Sequence, residues 1–217
     1  RAGRDPAAVT LVAATKTVSV AQVRAVVAAG VPDVGENRAQ ELIAKAAELA
    51  QPPGVEAAEL AQPPGVEAAE LAQPPGVRWH FLGRLQRNKV RALSPWVTCW
   101  ESVDRESLGV EIARRAPGAH VLVEVNLGEE PQKGGCAPSE VPGLVEALVG
   151  AELAVDGLMA VPPREGEPRR WFAALRDLGS RLGLTELSMG MTDDFEVAVE
   201  EGATIVRVGR ALFGPRG

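Results

Sequence analysis

Lysine is scarce in this chain: Lys16, Lys45, Lys89 and Lys133 are the only four. Lys16 alone follows directly on a short apolar run, Leu11-Val12-Ala13-Ala14-Thr15, which puts it at a strand's end. Lys45 and Lys89 fall in helical patterns and Lys133 in a loop. Taken by itself, Lys16 reads as a solvated surface lysine. At a barrel mouth, partly desolvated and near other cations, its ammonium form is disfavoured and the amine can condense with an aldehyde. A second cluster suits phosphate. In Ser188-Met189-Gly190-Met191-Thr192 and Arg207-Val208-Gly209-Arg210, glycines allow close backbone approach, hydroxyls donate and guanidiniums supply charge. Plainer readings stand beside this one: Thr192 caps a helix beginning near Asp193, and Gly209 starts a turn. Asp193 and Asp194 suit the helix dipole but repel a phosphate, so their side chains are expected to point away from it.

Other chemistries find little support. Histidine occurs only at His80 and His120, far apart, cysteine only at Cys99 and Cys136, and tyrosine nowhere. A histidine-bound metal, a Ser-His or Cys-His nucleophile and a disulfide framework are all disfavoured. His80, within Trp79-His80-Phe81, reads as a hydrogen-bonded strand residue, Met159 and Met191 as packing, and Arg84, Arg87, Lys89 and Arg91 as a solvated helix face. The 217 residues are 46% hydrophobic and 24% charged, with net charge −6, the wrong sign for a nucleic-acid binder. No apolar run approaches the roughly 18 residues that span a bilayer. The N-terminus lacks a basic-then-apolar leader, so a reducing, cytoplasmic setting is expected.

The elements that position these groups follow from periodicity. Strands are predicted at residues 10–14, 31–34, 78–82, 97–103, 121–126, 155–161, 186–189 and 204–208. Helices are predicted at 20–29, 38–49, 85–93, 105–115, 139–149, 169–182 and 195–201, with Gly30, Gly183 and Gly202 at C-terminal ends. Strands alternating with helices predict an α/β fold, a single (β/α)₈ barrel over residues 1–217. A doubly wound open sheet is the alternative, weakened because no G-x-G-x-x-G follows the first strand. In a barrel the working groups lie at the C-terminal strand ends, which here carry Lys16, Glu36-Asn37, Gly83-Arg84, Asp104, Asn126, Met159, Ser188 to Asp194, and Arg207 to Arg210. Residues 56–66 and 67–77 are identical, and 45–55 differs from them only by Lys45 in place of glutamate. Each block is too short to bury a core before Pro-Pro-Gly stops it, so 56–77 is expected to be a surface insertion. The chain opens on Arg1, and residues 2–6 read as the tail of a helix, so it is expected to start late.

Ala14-Thr15-Lys16-Thr17, Gly35-Glu36-Asn37, Trp79-His80-Phe81-Leu82-Gly83-Arg84-Leu85-Gln86-Arg87-Asn88-Lys89, Gly157-Leu158-Met159, Ser188-Met189-Gly190-Met191 and Val206-Arg207-Val208-Gly209 resemble, in order along nearly the whole chain, the pyridoxal phosphate homeostasis protein family. The resemblance implies a fold similar to the barrel domain of alanine racemase and pyridoxal 5′-phosphate (PLP) held as an internal aldimine on Lys16. It further implies Arg207 beside the pyridine nitrogen, Ser188, Gly190, Thr192, Gly209 and Arg210 around the phosphate, and Asn37 and Met159 lining the ring. It also implies a monomer. The chain departs from the family pattern in Thr192, where serine is usual, and Arg210, where threonine or serine is common. Against the family pattern the N-terminal helix is expected to be missing, and residues 56–77 are expected to add about two repeats.

Racemisation needs a proton acceptor on each face of the cofactor, and the racemase supplies one as a tyrosine. This chain has no tyrosine. An arginine against the pyridine nitrogen also weakens the ring as an electron sink. The expected function is therefore a non-catalytic PLP-binding protein that buffers or delivers the cofactor to apo-enzymes. A racemase using Lys16 and an unidentified second base is the alternative, and an interaction-based regulator is the third reading.

Overall fold

Short stretches carrying β-branched, aromatic or other apolar residues favour extended backbone, and here they form β1 (Thr10–Ala14), β2 (Asp33–Glu36), β3 (Arg78–Phe81), β4 (Val97–Val103), β5 (His120–Glu124), β6 (Ala154–Met159), β7 (Glu186–Ser188) and β8 (Ile205–Val208). Between them run α1 (Val20–Ala28), α2 (Ala39–Leu49), α3 (Val90–Leu93), α4 (Glu106–Arg115), α5 (Val141–Gly150), α6 (Pro168–Leu182) and α7 (Phe195–Glu200), and α8 (Arg210–Phe213) follows β8. The chain is described here by a computed structural model covering residues 2–51, 76–163 and 166–214. Among these residues the strands pair in sequence order, all parallel, and β8 returns to β1 through Thr10↔Ile205 and Ala13↔Val208, closing the barrel. Closure is the (β/α)₈ arrangement and rules out the open sheet.

Strand alternation divides the interior in two. Outward-facing Val34, Trp79, Phe81, Trp100, Val121 and Leu158 pack against Leu42, Leu108, Ile112, Leu144, Phe172 and Leu175 of the helices in one continuous core. Inside the barrel Val12, Leu122, Met159 and Ile205 cluster with Cys99. The rest of the inner lining is polar: Asp33, His80, Glu101, Ser188 and Arg207 are all buried.

Helix ends match their sequence signals. Ser19 and Gln22 close a capping box on α1, and Gly183 ends α6 at φ +68°. Three expectations shift. β2 starts at Asp33 rather than residue 31, because Pro32 has no amide for the ladder and contributes only its carbonyl, to Arg78 N (2.9 Å). The helix expected over 85–93 is a 3₁₀ turn, Arg87–Lys89, followed by α3, since Gln86 is extended. Residues 2–5 are not helical, and Asp5 instead caps a 3₁₀ turn at Pro6–Ala8. The insertion expected at 56–77 lies outside the described residues except Gly76 and Val77, the latter buried ahead of β3.

Candidate functional site

Lys16 stands two residues past β1, in a turn pinned on both sides. Thr15 is fully buried and gives its amide (2.8 Å) and hydroxyl (3.1 Å) to the carbonyl of Gly35. Thr17 adopts φ +63°, left-handed backbone that a β-branched residue enters only under constraint. The constraint is a buried ion pair: Lys45 Nζ of α2 donates to the Thr15 carbonyl (2.6 Å) and to Glu36 Oε2 (2.7 Å). Glu36 also accepts from the Thr15 hydroxyl (3.3 Å) and from Asn37 N (2.9 Å). The Lys16 side chain itself is exposed, and nothing among the described residues pairs with its amine. The partial desolvation expected of Lys16 is not seen among the described residues. Asn37, also exposed, borders a cleft of about 600 Å³ with Arg84, Lys89 and Asp104.

The end of β8 lies next to the strand that leads into this turn, and β7 follows one strand further round the barrel. A Cβ on Gly209 would stand 3.2 Å from the carbonyl of Ala14, a tight approach that a glycine avoids where β8 meets the strand that carries Lys16. Gly190 is at φ +91°, and a Cβ there would come within 2.5 Å of the Ala198 methyl. Thr192 is half-buried and does not cap α7; Asp194, the residue just before that helix, accepts from Met191 N (2.6 Å) and makes no side-chain cap bond to the helix either. Arg210 is half-exposed and ion-paired with Asp193. Ser188 differs from the rest of the expected phosphate group: its hydroxyl points into the barrel, donating to Glu101 Oε2 (2.5 Å) and accepting from Arg207 Nη1 (2.5 Å). Arg207 is fully enclosed and also donates to the carbonyl of Ala160 (2.9 Å). Met159, 1% exposed, belongs to the inner apolar cluster.

Lys45, Glu101 and Glu124 are not among the residues that the predicted strand ends single out. Inward Glu101 and Glu124 are charges at alternate positions of apolar strands, and that alternation is the signal that could have found them. Glu124 ends β5, and its Oε2 has no hydrogen-bond partner among the described residues. Burial, reinforced by Asp104 and opposed by Arg207 and Arg84, pushes its carboxyl up to about 7. Burial also pulls Arg207 below the usual arginine range, against the opposing pull of Glu101 and Glu124. An arginine stays protonated through any ordinary pH range, so the barrel holds a fixed cation.

A closed parallel barrel with a lone lysine after β1 and glycines ending β7 and β8 defines a class, and the chain belongs to it: residues 4–217 match the family model described as alanine racemase, N-terminal domain. Within that class its relatives are specific. It is 40% identical over 225 residues to a pyridoxal phosphate homeostasis protein of Pseudomonas aeruginosa, covering 99% of this chain and 88% of that one. The structure of PipY of Synechococcus elongatus with PLP bound superposes with a TM-score of 0.77 at 34% identity, covering 99% of this chain and 96% of that one. Alanine racemase of Corynebacterium glutamicum shares the fold at 16% identity and a TM-score of 0.63, with this chain spanning 57% of its length.

Proposed function

We propose that this protein binds PLP at Lys16 and serves intracellular PLP homeostasis, buffering the cofactor or delivering it to apo-enzymes as a monomer without catalysing a reaction of its own. The observation that carries the reading is the Lys16 turn: an exposed, unpaired amine fixed by the Lys45–Glu36 pair directly beside Gly209 and the end of β8. Bound PLP supplies an aldehyde that combines reversibly with a primary amine. Lys16 presents that amine. The amides near Gly190 and Gly209, the Thr192 hydroxyl and Arg210 suit the phosphate, Arg210 being free to leave Asp193 at the surface. Asn37 borders the ring and Met159 floors it. Arg207 places a permanent cation where the pyridine nitrogen would lie, which keeps that nitrogen unprotonated and the ring a poor electron sink. Similarity to the pyridoxal phosphate homeostasis protein and to PLP-bound PipY supports the same reading.

Adding PLP to the purified protein tests this. A visible absorption band is expected that is lost or displaced in Lys16→Ala; an unchanged band in the variant would remove Lys16 from the site. Racemase activity is the competing reading, and Glu124, which can carry a proton near neutrality, is the group that favours it. With one enantiomer of an amino acid in deuterated water, we expect no α-deuterium uptake by the holo-protein; uptake abolished by Glu124→Gln would favour the racemase.

A further inference from the structure

Six polar side chains form an unbroken row through the barrel. Arg78 Nε and Nη2 donate to Asp33 (2.7 and 2.5 Å). The His80 ring lies between Asp33 Oδ1 (Nε2, 3.1 Å) and Glu101 Oε1 (Nδ1, 2.6 Å). Glu101's second oxygen takes the Ser188 proton, and Ser188 Oγ takes a hydrogen bond from Arg207. The row starts at a cavity of about 520 Å³ in the N-terminal mouth, lined by Asp33, Arg78, His80, Cys99 and Glu186 among others. It ends at the guanidinium assigned above to the cofactor's ring.

The donors of His80, Cys99 and Glu101 lie within 4.8 Å of one another, a spacing that could hold a metal ion. Here, however, each ring nitrogen meets a carboxylate, which requires both to donate, so an imidazolium fills the place such an ion would take. Burial works against that charge, yet hydrogen bonds with Asp33, Cys99 and Glu101 hold His80 well above its usual pKa. Along the row the charges alternate: Arg78 positive, Asp33 negative, His80 positive, Glu101 negative, Arg207 positive. Removing one member takes a partner from each buried neighbour and upsets the balance of charge along the row.

We propose that Glu101, fixed in turn by His80, is the positioning residue for Arg207, and that this row sets both where the guanidinium sits and how much positive charge the cofactor ring meets. The charge half of the proposal rests on the PLP reading; the positioning half does not. Arg207 is faced by Glu101 from β4, Glu124 from β5 and Asp194 from the turn before α7, and only Glu101 reaches it through a buried hydroxyl. His80 is faced by Asp33 from β2 and by Cys99 and Glu101 from β4.

Two measurements test it. In the PLP-loaded protein, the pH midpoint of the Lys16 visible band should fall by roughly one unit in Glu101→Gln, which removes a nearby anion, and move upward by less in His80→Gln, which removes a cation. Shifts of opposite sign are not produced by general loosening; shifts of the same sign, or none, would overturn the charge role. In the apo-protein, nitrogen-15 spectra should show Arg207 guanidinium protons exchanging about tenfold faster in Glu101→Gln and in the milder Ser188→Ala. Unchanged exchange in both would overturn the positioning role. Should wild type form no Lys16 band while the apo-protein result holds, the cofactor reading and the charge role fall together and the positioning of Arg207 stands.

Discussion

Glu124 is the residue whose chemistry most separates this site from a simple apolar pocket. Its carboxyl titrates near 7 instead of 4.5. Between those values the unfolded chain releases a proton that the fold retains, so this residue makes stability fall as pH rises across that window. Glu124→Gln should flatten that part of the curve, read by urea denaturation at about pH 5 and about pH 7.5. Two other groups act at opposite extremes. His80, raised above 6.5, contributes in full below that value and loses its contribution as pH climbs through its folded pKa. Asp33 is subject to burial, which raises it, but hydrogen bonds from His80 and Arg78 outweigh this and bring it from 3.8 to about 2. Its contribution is therefore present above 3.8 and lost as pH falls toward 2. His80→Asn should remove the alkaline loss and weaken acid resistance as well, because Asp33 loses a partner; denaturation curves at both ends of the range check this. At this scale the sequence made Lys16, Arg207 and the glycines stand out by rarity and position. Whether a hydroxyl at a strand end faces the mouth or the interior is not written locally in the sequence, and the contacts of Ser188 with Glu101 and Arg207 appear only in the structure.

The α2–β2 contact decides how well Lys16 is held. Lys45 is buried against a fully buried Glu36, and losing one partner of such a pair costs about 3 kcal/mol. Lys45→Ala should lower stability by about that amount and slow PLP capture through a looser Thr15–Thr17 turn, as denaturation and stopped-flow absorbance would show. The repeat makes this residue informative. Lys45 is the one position at which the first block differs from the next two, which carry Glu56 and Glu67 there. A glutamate would set two carboxylates together, so only the first block can complete α2. Periodicity found β1, β4 and the long helices almost to the residue, because their apolar positions face one continuous core. It ended β2 too early because Gly35-Glu36 reads as a turn, whereas the strand continues through Glu36, whose carboxylate pairs with a lysine nine residues later. The 3₁₀ turn before α3 was missed for a similar reason: Leu85, Val90 and Leu93 are buried without sharing one helical face.

Across the molecule, the barrel joins two ends with different work: a mouth carrying Lys16, Gly190 and Gly209, and a floor carrying Arg78, Asp33 and His80. The repeat lies between α2 and β3 in the sequence. Because Gly54-Val55 duplicates Gly76-Val77, deleting residues 56–77 leaves the same residues entering β3. The shortened chain is expected to melt no lower than the full one, since a shorter loop costs less to close, and to bind PLP equally well; calorimetry and PLP titration check both. Closure of the sheet was legible from the count and spacing of strands, whereas the charged row inside it was not, being assembled from five strands far apart in sequence. The central claim concerns one nitrogen. Reducing the PLP-loaded protein with borohydride, digesting it and mapping the modified peptide by mass spectrometry should place the label on Lys16, and Lys16→Ala should carry none; a label on Lys45, Lys89 or Lys133, or no label at all, would contradict it.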